Sequence, residues 1–157
     1  MSPFRAPGDP PAEPFLPDLL ARASHALAQG FAGELRRRGA SFPVWRVLAA
    51  LHASPGLTVT ALAGACLLQQ PTATKLLDRM ARDGLVARAP DARDRRVVRV
   101  ALTPEGQAKA AELVAAAERY EARVLARHPQ AAGIRVALCD IIAGSGPPRR
   151  ARDGEGA

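Results

Sequence analysis

The stretch QQPTATKLLDRMARDGLVARAPDARDRRVVRVALTPEG, residues 69–106, changes its hydrophobic period twice. Ala73, Leu76, Leu77 and Met80 recur at spacings of three and four, which places them on one face of a helix. Pro71 suits the first position of that helix, where its missing N–H has no partner to lose. Gly84 is the residue expected just past its end, because a left-handed C-terminal cap favours glycine. From Leu85 the pattern alternates instead. LVARA (85–89) and VVRVAL (97–102) read as two short strands, and PDARDRR (90–96) is long enough for an extended hairpin loop between them. Thr103 and Pro104 then form an N-cap and first-turn pair that starts another helix.

Upstream, Thr58 is the expected N-cap of a helix of about two turns, with Leu62 and Cys66 facing inward and small alanines at 61, 63 and 65 allowing close approach. Val44, Val47, Leu48 and Leu51 mark a helix that must stop before the SPG at 54–56. Leu16, Leu20, Ala23, Leu27, Phe31 and Leu35 give a long first helix with a continuous apolar stripe, running to about Arg38 and ending at Gly39. Downstream, the Ala-rich helix from Thr103 can run to about Arg127, where His128-Pro129 interrupts it. A last helix with Ile134, Leu138, Ile141 and Ile142 on one side is expected to close the core. Residues 1–15 and 144–157 are rich in Gly, Pro and charge and are expected to be disordered tails around a folded unit at 16–143.

A chain of 157 residues fits one domain. Its net charge of +7 favours an acidic partner. Only Lys75 and Lys109 among the 22 basic residues are lysine, a bias that genome composition explains in part, so the placement of the arginines matters more than their number. Cys66 and Cys139 form no C-x-x-C pair, and His25, His52 and His128 lie on separate elements, so neither a metal site nor a disulfide framework is expected. The first fifteen residues carry five prolines and no apolar run, and no later stretch is long enough to span a membrane. A reduced, cytoplasmic protein is the expectation. No Ser-His-Asp set, Gly-rich phosphate loop or close pair of catalytic carboxylates can be assembled, which argues against an enzyme, and no cofactor is expected.

Three helices followed by a two-stranded ribbon form the arrangement of a winged helix-turn-helix, in which one helix enters the major groove of DNA and the ribbon loop reaches the neighbouring minor groove. On the helix after LLQQ, Gln70, Thr72, Thr74 and Lys75 lie at or near the N-terminal end and off the apolar side. These residue types can bond base edges or phosphates, and the first-turn N–H groups add partial positive charge suited to a phosphate.

WRVLAAL (45–51), LTVTALA (57–63), QQPTATKLLDRMARDGLVAR (69–88) and DARDRRVVRVALTPEG (91–106) together resemble the MarR family of bacterial transcriptional regulators. Asp91, Asp94, Arg96, Leu102, Thr103 and Gly106 meet the family's wing pattern. The resemblance implies a mainly α fold with a small β-hairpin wing. It places a winged helix-turn-helix at about 43–102 and dimerisation helices at about 16–38 and 104–143. It further implies a homodimer on a pseudo-palindromic operator in double-stranded DNA, acting as a repressor that lets go when a small aromatic or phenolic effector binds. Gln70, Pro71, Thr72, Thr74 and Lys75 correspond to the groove-facing segment, Arg96 to the wing arginine, Asp94 to the carboxylate that orients it, and Arg93 and Arg95 to its neighbours at the tip. His25, Trp45 and His52 are candidates for lining the effector cavity.

Plainer roles compete with each of these. The wing charges could pair among themselves in solvent, where such pairs contribute roughly 0–1 kcal/mol. Trp45 could be a packing anchor, and Cys66 a small core residue. A thiol-based redox regulator of the same fold and a winged-helix protein-interaction module are the alternative functions.

Overall fold

The computed structural model describes residues 15–144. Apart from Phe15 and Gly144, the two expected tails lie outside the described residues. The elements in chain order are α1 (Leu16–Arg37), α2 (Phe42–Ala53), β1 (Leu57–Thr58), α3 (Val59–Ala65), α4 (Gln70–Arg82), β2 (Val86–Pro90), β3 (Val98–Leu102), α5 (Pro104–Arg127) and α6 (Ala131–Gly144). The chain divides into two compact units at Ala117/Glu118.

The first unit holds the helix-turn-helix and the wing. Its core is built from Val47, Leu48 and Leu51 of α2, Leu62 of α3, Ala73, Leu76, Leu77 and Met80 of α4, Val86 and Val100 of the sheet, and Ala110, Leu113 and Ala116 of α5. The apolar face predicted for α4 is therefore the buried one. Gly84, at φ +72°, closes that helix: its N–H reaches the Ala81 carbonyl and the Leu85 N–H reaches that of Met80, satisfying carbonyls the helix leaves open. Gln70 is the first helical residue, so Pro71 occupies the second position rather than the first; an N–H there has no intrahelical partner either. On α3, Thr58 caps as expected, its Oγ1 accepting the Ala61 N–H at 3.1 Å. Of the three small residues expected inward only Ala63 is buried, whereas Ala61 and Ala65 are exposed, because a helix this short turns one narrow face to the core.

The sheet has three strands, not two. β3 lies between β2 and β1 and is antiparallel to both, with Arg88 opposite Val100 on one side and Leu57 opposite Val100 on the other. β1 is only two residues long, too short for alternation to reveal. The start of α5 packs closely against the sheet. Thr103 Oγ1 accepts the Gly106 N–H at 3.0 Å and donates to the Gly84 carbonyl oxygen. A Cβ on Gly106 would stand 1.8 Å from the Leu85 carbonyl oxygen, so the family's glycine is here a packing requirement.

The apolar stripe of α1 is buried only in part, and the expectation that α6 closes the core is corrected. Along α1 only Phe31 and Leu35 are buried; Leu16, Ala23 and Leu27 are exposed and Leu20 half-buried. Phe31 meets Trp45 of α2 edge-on at 5.6 Å between ring centroids, so burial is confined to the end of α1 that α2 reaches. The same end is fastened to α5 by charge: Glu34 pairs with Arg38 at 2.7 Å and Arg37 at 3.0 Å, Arg38 lies 3.7 Å from Glu112, and Lys109 pairs with Glu112 at 2.9 Å. In the second unit α6 does not close a core. Ile134, Ile141 and Ile142 are exposed, and Leu138 is half-buried.

Candidate nucleic-acid interface

The face of α4 opposite its core side carries Gln70, Pro71, Thr72, Thr74, Lys75, Arg79 and Arg82, all exposed. Two of these are bonded. Gln70 Nε2 donates to Thr60 Oγ1 of α3 at 3.0 Å, and Thr74 Oγ1 donates to the Gln70 carbonyl, also at 3.0 Å. The turn leading into this helix is held by Arg46 of α2. Its Nη1 donates to the Cys66 carbonyl at 3.0 Å, and its guanidinium lies 5.2 Å from the Phe42 ring centroid, a cation placed where the end of α3 leaves carbonyls open.

The wing loop at 91–97 is ordered by its own carboxylates. Asp91 Oδ1 accepts the backbone N–H of Arg93 at 2.7 Å and of Asp94 at 3.2 Å, and Asp91 also pairs with Arg99, whose Nη1 reaches the Gly56 carbonyl at 2.8 Å. Asp94 takes Arg96 in a fork: Nε to Oδ1 at 3.1 Å and Nη2 to Oδ2 at 3.2 Å, with the Arg96 N–H on the same Oδ1 at 3.0 Å. Two parallel bonds to a planar guanidinium fix direction as well as distance. The Arg99 guanidinium holds the Asp91 carboxyl below its ordinary value, helped by the two backbone N–H groups. Arg96 does the same for Asp94, through its side chain first and its backbone second.

The arginines thus sort into two kinds. Arg38, Arg46, Arg88, Arg96 and Arg99 are engaged by protein acceptors. The side chains of Lys75, Arg79, Arg82, Arg93 and Arg95 are exposed, with no hydrogen-bond or ion-pair partner among the described residues. Cations of the second kind are available to phosphates. Arg79, Arg82 and Thr60 lie outside the residues that sequence reasoning singled out. Arg79 and Arg82 continue the exposed face of Lys75 by helical spacing, a signal the sequence does hold, whereas Thr60 joins only through the α3–α4 packing.

Arg88 was also missed. It projects from β2 to α4, donating Nη2 to the Thr74 carbonyl at 3.0 Å and pairing Nη1 with Asp78 at 2.8 Å. Alternation puts it on the same strand face as buried Val86, and a polar residue on an inward face calls for a partner.

The effector candidates are not drawn together. Trp45 is half-buried against Phe31, His25 is exposed on α1, and His52 is exposed on α2 with Nδ1 3.5 Å from Gln107 Nε2. No bond or ring contact joins these three among the described residues. Cys66 is buried and its thiol is pushed up by that burial, while Cys139 is exposed. Among the described residues no helix is long and apolar enough to cross a membrane.

Residues 38–97 match the MarR family. A MarR family transcriptional regulator from Silicibacter pomeroyi DSS-3 is 35% identical and superposes with a TM-score of 0.73, covering 85% of this chain and 99% of its own. The transcriptional repressor CouR, bound to a 23-mer DNA duplex, is 27% identical with a TM-score of 0.69, covering 83% of this chain and 91% of its own. The homoprotocatechuate degradative operon repressor of Escherichia coli is 35% identical over 89 residues, which is 57% of this chain and 60% of that repressor. The matched region thus spans only about three-fifths of that relative's length. The chain belongs to the MarR family of winged helix-turn-helix transcriptional regulators, which are transcription factors and not enzymes.

Proposed function

We propose that the protein is a homodimeric, sequence-specific repressor that binds double-stranded DNA and is released by a small aromatic or phenolic effector. In this reading the exposed face of α4 lies in the major groove, with Gln70, Pro71, Thr72, Thr74 and Lys75 toward base edges and phosphates. The wing lies over the adjacent minor groove, with Arg96 aimed by Asp94 and with Arg93 and Arg95 beside it. The observation that carries the reading is the set of exposed, unengaged cations on α4 and the wing. The dimer is supported by the apolar residues that α1 and α6 each expose. The CouR complex with duplex DNA gives a related fold in contact with the same kind of partner.

The test is a titration of the protein against its own upstream region at rising salt. A preferred pseudo-palindromic site whose affinity exceeds that for unrelated duplex by at least about a thousandfold is expected. Equal affinity for both, lost at modest salt, would reduce the interaction to counterion release alone.

A relative whose name ties it to homoprotocatechuate degradation supports an aromatic acid, and His25, Trp45 and His52 are the proposed lining. Because Trp45 is the only tryptophan, its fluorescence reports ligand binding directly. Titration with homoprotocatechuate and related phenolic acids should quench or shift that emission and lower DNA affinity in parallel. Emission unchanged across the series would remove Trp45 from the site.

A further inference from the structure

We propose that Arg88 is a positioning residue that sets the wing against the recognition helix α4, so that Arg96 reaches DNA only while Arg88 holds both Thr74 and Asp78. The inference rests on the DNA-binding reading above. A chain of hydrogen bonds runs through three elements. Thr60 of α3 accepts from Gln70, the Gln70 carbonyl accepts from Thr74, and the Thr74 carbonyl accepts from Arg88 of β2, which also pairs with Asp78 one turn further along α4. The residues proposed to read the groove, Gln70 and Thr74, are thus bonded to the strand that carries the wing.

The chemistry suits arginine and no other side chain. Its two terminal nitrogens meet two acceptors of different kinds, a backbone carbonyl and a carboxylate, a turn apart on one helix. A planar guanidinium spans them in one fixed orientation, whereas an ammonium is a point charge that satisfies either one. Of the donors left over, Arg88 Nε is buried with no partner among the described residues. An unmet buried donor is unfavourable, so the arrangement is poorly explained as a device for stability alone and well explained by the geometry it imposes. Beyond Pro90 the wing loop is held by bonds to itself, to Arg99 and, through Arg99, to Gly56. Arg88 is its bonded link to α4.

The experiment is a double-mutant cycle on operator DNA. In the otherwise unchanged protein Arg96→Ala is expected to weaken binding about tenfold. In Arg88→Lys, and separately in Asp78→Asn, the same Arg96→Ala change is expected to cost less than twofold, because a wing no longer registered to α4 gains little from its arginine. A full tenfold loss in both backgrounds would overturn the proposal, as a residue that only stabilises the fold predicts additive losses. Residual dipolar couplings of the DNA-free protein give an arm independent of DNA. The β2–β3 hairpin should keep one orientation relative to α4, and Arg88→Lys should scale its couplings down while leaving those of α2 and α4 unchanged. Unaltered hairpin couplings in that variant would overturn the tie even if the protein binds its operator. Lost couplings in a protein with no operator preference would retain the tie and overturn its purpose.

Discussion

Leu67 has φ of +54°, in the left-handed region, and its side chain is 79% exposed. It stands directly after Cys66, the C-cap of α3, its N–H on the Gly64 carbonyl and the next N–H on that of Ala63. That position favours glycine. A side chain there costs about 1 kcal/mol, and this one offsets little of it by packing. Leu67→Gly should therefore raise stability by about 1 kcal/mol and the melting midpoint by about 2–4 °C. A lower midpoint by calorimetry would mean that the leucine packs on something outside the single chain. The wing carboxylates allow a second prediction. Asp91 and Asp94 both titrate below their ordinary value of 3.8 in the folded chain. Their contribution to wing order is thus complete at neutral pH and is lost only as pH falls below that value, through the lowered pKa. Carbon-detected NMR should show both carboxylates unchanged from pH 8 to 5. In Arg96→Ala the Asp94 transition should move up, and in Arg99→Ala that of Asp91, each only partway, because one backbone N–H remains on Asp94 and two on Asp91. Equal, complete returns would contradict the backbone contribution.

At the scale of elements, the junction between β3 and α5 concentrates the most constraint. Thr103 caps the helix and bonds the turn after α4, so Thr103→Val, similar in shape but without either bond, should cost about 1–2 kcal/mol. Gly106→Ala should cost more, on the order of 3 kcal/mol, since its Cβ would overlap the Leu85 carbonyl and push α5 off the sheet. Urea midpoints of the two variants decide the ranking, and a milder effect for Gly106→Ala would show that the helix start can shift freely. Pattern placed the ends of α1, α3, α4 and α5 to within a residue or two. It did not reveal β1, because a two-residue strand exists only through its pairing with β3, and pairing across about forty residues of chain leaves no local trace.

At the scale of the whole molecule, the exposed apolar residues of α6 carry a prediction about assembly. Ile141→Asp should yield a monomer by sedimentation velocity while the circular dichroism of the helices is retained, because Ile141 is 44% exposed and makes no core. A dimer that persists would place the interface elsewhere. The unengaged cations carry a prediction about charge. Arg95→Ala should weaken binding to all duplexes alike and lower the magnitude of the salt slope by about 1. A sequence-dependent loss would instead make Arg95 a reader of bases.

The sequence by itself determined what depends on neighbours along the chain. The helical face of Ala73, Leu76, Leu77 and Met80 and the caps at Thr58, Thr103 and Gly84 follow from period and backbone preference, and the Asp91–Asp94–Arg96 loop from the resemblance to the family's wing pattern. Only the tertiary structure decided which apolar stripes are buried. Leu16 and Ile142 look as core-like in the sequence as Leu35 and Leu77, yet the first two are exposed and the last two are buried. It alone also decided that Arg88 joins the wing to α4. That outcome depends on acceptors brought close by the packing of separate elements, a geometry that a one-dimensional pattern cannot encode.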